Sequence, residues 1–151
     1  MDKNYERYIE DACKLLGDLE GALLEQVLIN TVQDEFNVVY LKTSKGNFCL
    51  HGESGGEYLG IRNLIEVPKL TNEDGYAIST YPPFQQFEGH EIVKVRQIGT
   101  AWNGHGFEFN FKGLHTISML VQSVYCGSAP DNLDDCLRLG IGMYQNKKNL
   151  T

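Results

Sequence analysis

Between Gly106 and Gly113 the chain reads Gly-Phe-Glu-Phe-Asn-Phe-Lys-Gly, so Phe107, Phe109 and Phe111 alternate with Glu108 and Asn110. A period of two puts the three rings on one face and the polar groups on the other, which predicts a half-buried strand. After Lys112-Gly113, the run from Leu114 to Val124 is rich in β-branched residues and, with Thr116, Ser118 and Ser123, too polar for a buried helix. Together they predict a hairpin. A two-residue loop would set Phe111 opposite Leu114 and turn Ile117 and Met119 away from the rings. A three-residue loop, Lys112-Gly113-Leu114, would set Phe111 opposite His115, Phe109 opposite Ile117 and Phe107 opposite Met119. Directly opposed residues share a face, so the second register gathers the apolar set and is the one expected, with Gly113 at positive φ.

Elsewhere the pattern changes period. Tyr5, Tyr8, Ile9, Ala12, Cys13, Leu15 and Leu16 recur at helical spacing, which predicts a helix from Tyr5 to Leu16 with Asn4 as its cap and Gly17 closing it. From Glu20-Gly21 a strand is expected through Gln26 to Val32. Phe36 to Lys42 is apolar on both faces, as a central strand is, and Ser44 to Asn47 turns the chain into a returning strand, Phe48 to His51. Four glycines between Gly52 and Gly60 suggest an irregular connection, with a short strand at Glu57 to Ile61. The turn cluster Asn72-Glu73-Asp74-Gly75 and Tyr81-Pro82-Pro83-Phe84 mark a connector lying against the sheet. Near the end, Ser128, Pro130 and the acids Asp131, Asp134 and Asp135 signal the start of a short helix, followed by a last strand from Leu139 to Tyr144 and a polar tail.

The two halves share a plan. Leu19-Glu20-Gly21, a strand, a Phe-led strand, Lys45-Gly46 and a returning strand recur as Phe87-Glu88-Gly89, a strand, a Phe-led strand, Lys112-Gly113 and a return. Gly21 and Gly89 are 68 residues apart, Gly46 and Gly113 67 apart. The predicted fold is α+β, a single domain over residues 1–151. It is a mainly antiparallel sheet built from two three-stranded meanders (20–61 and 88–126), joined by a connector (62–87). An N-terminal helix (1–17) packs on the sheet, and a short helix, strand and tail (128–151) close the chain.

Composition narrows the function classes. Thirteen Lys and Arg against twenty Asp and Glu give a net charge of -7, which repels a phosphate backbone and makes a basic protein surface the better partner. No apolar run reaches the roughly 20 residues of a spanning helix, and the charged start is not followed by an apolar signal core, so neither membrane nor export is expected and a cytoplasmic location is. Cys13, Cys49, Cys126 and Cys136 are widely spaced and are expected to be reduced, buried groups. No cofactor or metal is expected: the four histidines lack helical ligand spacing, and Cys49-Leu50-His51 places two groups on one strand face without an evident third. Cys126-Gly127-Ser128 has nothing that fixes a base or an oxyanion hole.

The loop Gly99 to Gly106 is the strongest site candidate, because it sets Trp102, Asn103 and His105 among glycines. With Tyr81, Glu88, Glu91 and Glu108, these form the candidate partner-binding set. The alternative for Trp102 is that it plugs one end of the core.

The segment Phe87-Glu88-Gly89-His90-Glu91-Ile92-Val93-Lys94-Val95, followed by Gly106-Phe107-Glu108-Phe109-Asn110-Phe111, resembles strands of small acidic bacterial proteins of the toxin-immunity kind and of uncharacterised β-rich families. The resemblance implies a non-enzymatic protein-binding module of the bacterial cytoplasm that masks or regulates a partner. A small-molecule binder or hydrolase with a cleft between the meanders is the alternative, and a homodimer through an exposed sheet edge is a third reading.

Overall fold

The structure, a computed structural model, describes residues 3–32, 35–53, 58–73, 76–100, 103–124 and 137–143. A helix, α1 (Lys3–Leu19), is followed by β1 (Leu24–Val32), β2 (Glu35–Thr43), β3 (Gly46–Glu53), β4 (Tyr58–Leu64), β5 (Thr71–Glu73) and β6 (Tyr76–Thr80). A short 3-10 helix (Pro82–Phe87) leads into β7 (Ile92–Thr100), β8 (Asn103–Phe111), β9 (Leu114–Ser123) and β10 (Leu137–Met143). The strands form two antiparallel sheets, one of six in the order β4-β3-β2-β1-β6-β5 and one of four in the order β10-β9-β8-β7.

The inner faces meet in one continuous core. Leu24, Val27, Val39, Leu41, Phe48, Leu50, Leu59 and Ile61 of the first sheet pack with Ile92, Phe107, Phe109, Phe111, Met119 and Val121 of the second. Ala12, Leu16 and Leu19 of α1 and Phe84 and Phe87 of the 3-10 helix complete it. An aromatic chain runs through the connector: Phe36 to Tyr81 (5.4 Å), Tyr81 to Phe84 (4.8 Å), Phe84 to Phe87 (5.8 Å) and Phe87 stacked on Phe111 (5.0 Å). A phenylalanine taken fully out of water contributes about 1.5–3 kcal/mol, which is why this connector packs rather than hangs free.

The pairing repeats at an offset of 68. Leu24 pairs with Thr43 and Ile92 with Phe111; Gln26 pairs with Lys42 and Lys94 with Asn110; Val27 pairs with Leu41 and Val95 with Phe109. The bulge recurs as well, at Glu25 in one half and Val93 in the other. The halves are stitched at these bulges by an exchange of hydrogen bonds: the Gly21 amide donates to the Ile92 carbonyl (2.7 Å) and the Gly89 amide to the Leu24 carbonyl (2.7 Å). The Ile92 amide donates to the Ala22 carbonyl (2.8 Å) and the Leu24 amide to the His90 carbonyl (3.0 Å). Two carboxylates close the exchange, Glu20 Oε2 accepting from the Val95 amide (3.0 Å) and Glu88 Oε2 from the Val27 amide (2.8 Å). Gly21 and Gly89 both stand at φ 88°, a left-handed conformation that any side chain would strain.

Several expectations change. Each run of successive strands holds four members, not three, because β4 is a full strand and β10 joins β9. The connector contributes β5 and β6, and β6 pairs with β1, so the first sheet reaches six strands. The helix continues past Gly17 to Leu19, whose side chain is buried, and it begins before Asn4. Gly21, not Gly17, turns the chain. The expected short C-terminal helix over 128–136 lies outside the described residues, and the last strand runs Leu137–Met143.

The hairpin register differs too. Phe111 pairs with Leu114 across the two-residue turn Lys112-Gly113, and the strands then slip so that Phe109 faces Met119 and Phe107 faces Val121. The slip gathers the apolar set with the rings, as the core demands, while His115 and Thr116 are left exposed. The two turns then match: Thr43 with Gly46 corresponds to Phe111 with Leu114, so Gly113 corresponds to Lys45 rather than to Gly46.

A buried amide left without an acceptor costs about 1–3 kcal/mol. Glu88→Ala and Glu20→Ala are therefore each expected to lower unfolding stability by that amount, and Glu88→Gln, which keeps an acceptor, by less; chemical denaturation measures it. Losses under about 0.5 kcal/mol for both alanine variants would show that the exchange carries no weight.

Candidate functional site

The described residues among those expected to bind a partner are not brought together in one place. His105 and Glu108 point to opposite sides of β8, and both are buried, 2% and 4% exposed. His105 Nδ1 accepts from the Leu59 amide (2.9 Å), which fixes the hydrogen on Nε2, and Nε2 donates to Gln97 Oε1 (2.7 Å). Gln97 Nε2 in turn donates to Cys13 Sγ (3.1 Å). Tyr58 and Phe107 stand edge-on to the imidazole. Burial lowers the His105 pKa to about 4. The ring is thus a neutral link between β4, β7 and β8, with both nitrogens satisfied inside the fold.

Glu108 lies on the outward face of its sheet. Arg96 Nε and Nη2 both reach its Oε1 (2.6 Å each), and Ser118 Oγ donates to its Oε2 (2.7 Å). Glu88 spends its carboxylate on Val27, and Tyr81 is half-buried between Phe36 and Phe84, where desolvation raises its phenol pKa. Glu91 and Asn103 are exposed. Trp102 lies outside the described residues. Its flanks form the end of the β7–β8 hairpin, with Gly99 and Gly104 at positive φ and Gln122 Nε2 donating to the Gly104 carbonyl (2.7 Å).

Glu91 has neighbours that sequence reasoning missed. Leu23 bridges to Glu91, and on either side of that bridge the Gly21 amide reaches the Ile92 carbonyl and the Gly89 amide the Leu24 carbonyl. Leu23 is 40% and Val93 46% exposed, and Glu25 and Glu91 are exposed beside them. The turns bearing Lys45 and Lys112 border the patch, the Ser44 amide bonding the Leu23 carbonyl (3.0 Å) and the Lys112 amide the Glu91 carbonyl (2.9 Å). The signal in the sequence was the 68-residue repeat, which maps Leu23 onto Glu91 and Glu25 onto Val93.

A second polar group lies on the outward face of the six-stranded sheet. Cys49, His51 and Glu53 alternate along β3 and so share that face, with Arg62 opposite Cys49. Glu53 Oε1 meets His51 Nδ1 (3.2 Å) and Arg62 Nη2 (3.1 Å). Cys49 is buried, and desolvation raises its thiol pKa even though Arg62 opposes the shift. Cys13, expected to be buried, is exposed on α1. Among the described residues no three His, Cys, Asp or Glu side chains come together as a metal ion would need, and no helix is long and apolar enough to cross a membrane.

Fold and surface define an antiparallel β protein of two packed sheets with one N-terminal helix. No protein-family model matches the chain, and neither a curated protein nor a solved structure matches it.

Two outcomes follow from the buried groups. An unfolded histidine takes up its proton near pH 6.5, whereas folded His105 does so only near 4. Between these values the unfolded chain binds more protons, so stability falls as pH drops from 6.5 to 4, by an amount on the order of 3 kcal/mol. Denaturation across that range should show the slope, and His105→Gln should flatten it; an unchanged slope would contradict the assignment. For the thiols, iodoacetamide should label Cys13 well before Cys49, as peptide mass mapping can read.

Proposed function

We propose that this chain is a non-enzymatic protein-binding module of the bacterial cytoplasm that masks or regulates a partner protein, as proteins of the immunity kind do. The observation that carries the reading is the exposed pair Leu23 and Val93, set between Glu25 and Glu91 where the two halves join. An apolar centre with a charged rim is the usual anatomy of a protein interface. The backbone beneath it is held by the exchanged hydrogen bonds, so a partner meets a preformed surface and little ordering entropy opposes binding. A net charge of -7 favours a basic partner and speeds its approach at low salt. The candidate residues Glu91 and Asn103 are open to contact, whereas His105, Glu108 and Glu88 serve the fold that presents them.

Affinity capture at low ionic strength tests this. The wild-type chain should retain a basic protein that salt releases, and Leu23→Asp with Val93→Asp should weaken retention at least tenfold, roughly 1.4 kcal/mol. Circular dichroism would check that the variant folds. A partner retained equally by the variant, or none retained by the wild type, would defeat the proposal.

A further inference from the structure

Among the described residues, two buried polar atoms on the outward face of the six-stranded sheet have no hydrogen-bond partner: Asn30 Oδ1 and His51 Nε2. They belong to one row. Asn30 of β1 and His51 of β3 both stand opposite Val38 of β2, one on each side. Strands are about 4.8 Å apart, so the two backbones are roughly 9–10 Å apart, with the span between them lying over Val38. Val38 is only half-buried, and Gly60, opposite His51 on β4, adds no side chain to the row. Beside Asn30 the pairing shifts between Val38 and Phe36, which leaves Asn37 as an extra residue in β2; such bulges recur next to binding sites.

The chemistry of the two atoms is the same. His51 Nδ1 faces the Glu53 carboxylate (3.2 Å) and the Gly52 carbonyl (3.3 Å), both acceptors, so Nδ1 carries a hydrogen, and in that tautomer Nε2 offers a lone pair. Asn30 Oδ1 is likewise an acceptor. A buried acceptor without a donor costs about 1–3 kcal/mol, and a fold that keeps two of them on one row reserves them for something that donates. Arg62 already neutralises Glu53 at 3.1 Å, so the row offers no counter-charge to a buried cation.

We propose that this row is a binding site for a neutral molecule bearing two N–H donors, a primary carboxamide or a urea, seated over Val38 with one hydrogen toward Asn30 Oδ1 and one toward His51 Nε2. The site is separate from the Leu23–Val93 surface and stands or falls independently of it.

The test is a titration followed on the imidazole nitrogens of the 15N-labelled protein, with acetamide as probe and methylammonium and acetate as controls. Acetamide should shift the His51 Nε2 resonance along a saturating curve while His105, sequestered in the core, stays put. Asn30→Leu should weaken that response at least tenfold; Asn30→Ser gives the same comparison if leucine disturbs the sheet. A His51 signal that acetamide leaves unmoved, or moves without saturation, would overturn the site and leave water as its occupant. A saturating response to methylammonium or acetate at equal concentration would overturn the neutral-donor class.

Discussion

The fold depends on how two bulged strands satisfy each other's backbone. A bulge removes one residue from the ladder and turns the neighbouring amides away from their partner strand. Here the segments 21–24 and 89–92 that lead into the bulges at Glu25 and Val93 pair with each other, and each half fills the other's gap: four backbone hydrogen bonds cross between them, and Glu20 and Glu88 accept the amides of Val95 and Val27. β7 is an edge strand, so the carboxylate of Glu20 stands where another strand would otherwise be. The geometry also requires Gly21 and Gly89 to sit at the same positive φ.

From that junction the rest of the architecture follows. Leu19 and Phe87, the residues just before the two glutamates, are driven into the core, which pulls α1 and the 3-10 helix against the sheets. The inner faces then close over Phe48, Phe107 and Phe109, which are buried between them. The same junction leaves Leu23 and Val93 on the surface. Structure and the proposed binding surface therefore have one cause.

The polar side chains divide by what lies next to them. His105 and Glu108 are one of each kind of burial, a neutral imidazole with both nitrogens occupied and a carboxylate paired to a half-exposed Arg96. Either is stable because its partners are complete. Asn30 and His51 differ in that one atom of each is left open, on a face where Glu53 and Arg62 cancel. That contrast within one small protein is what the proposed ligand site rests on.

The sequence alone determined the periodic elements: the amphipathic helix, the Phe107–Phe111 strand, the central strand after Phe36 and the repeat in which Glu20-Gly21 answers Glu88-Gly89. These rest on local spacing, and burial enforces them directly. What it could not determine were features set by distant neighbours. The three-residue slip after Leu114 depends on which of Ile117, Met119 and Val121 the other sheet can receive, and the extra strands β5 and β6 depend on the open side of β1. His105 read as a loop residue because its acceptors and donors, Gln97 and the Leu59 amide, lie 8 and 46 residues away. His51 was visible beside Cys49, but its relation to Asn30 exists only once β2 lies between them. Tertiary pairing decided those points, because hydrogen bonding and burial across strands depend on which residues stand opposite rather than on which stand next in the chain.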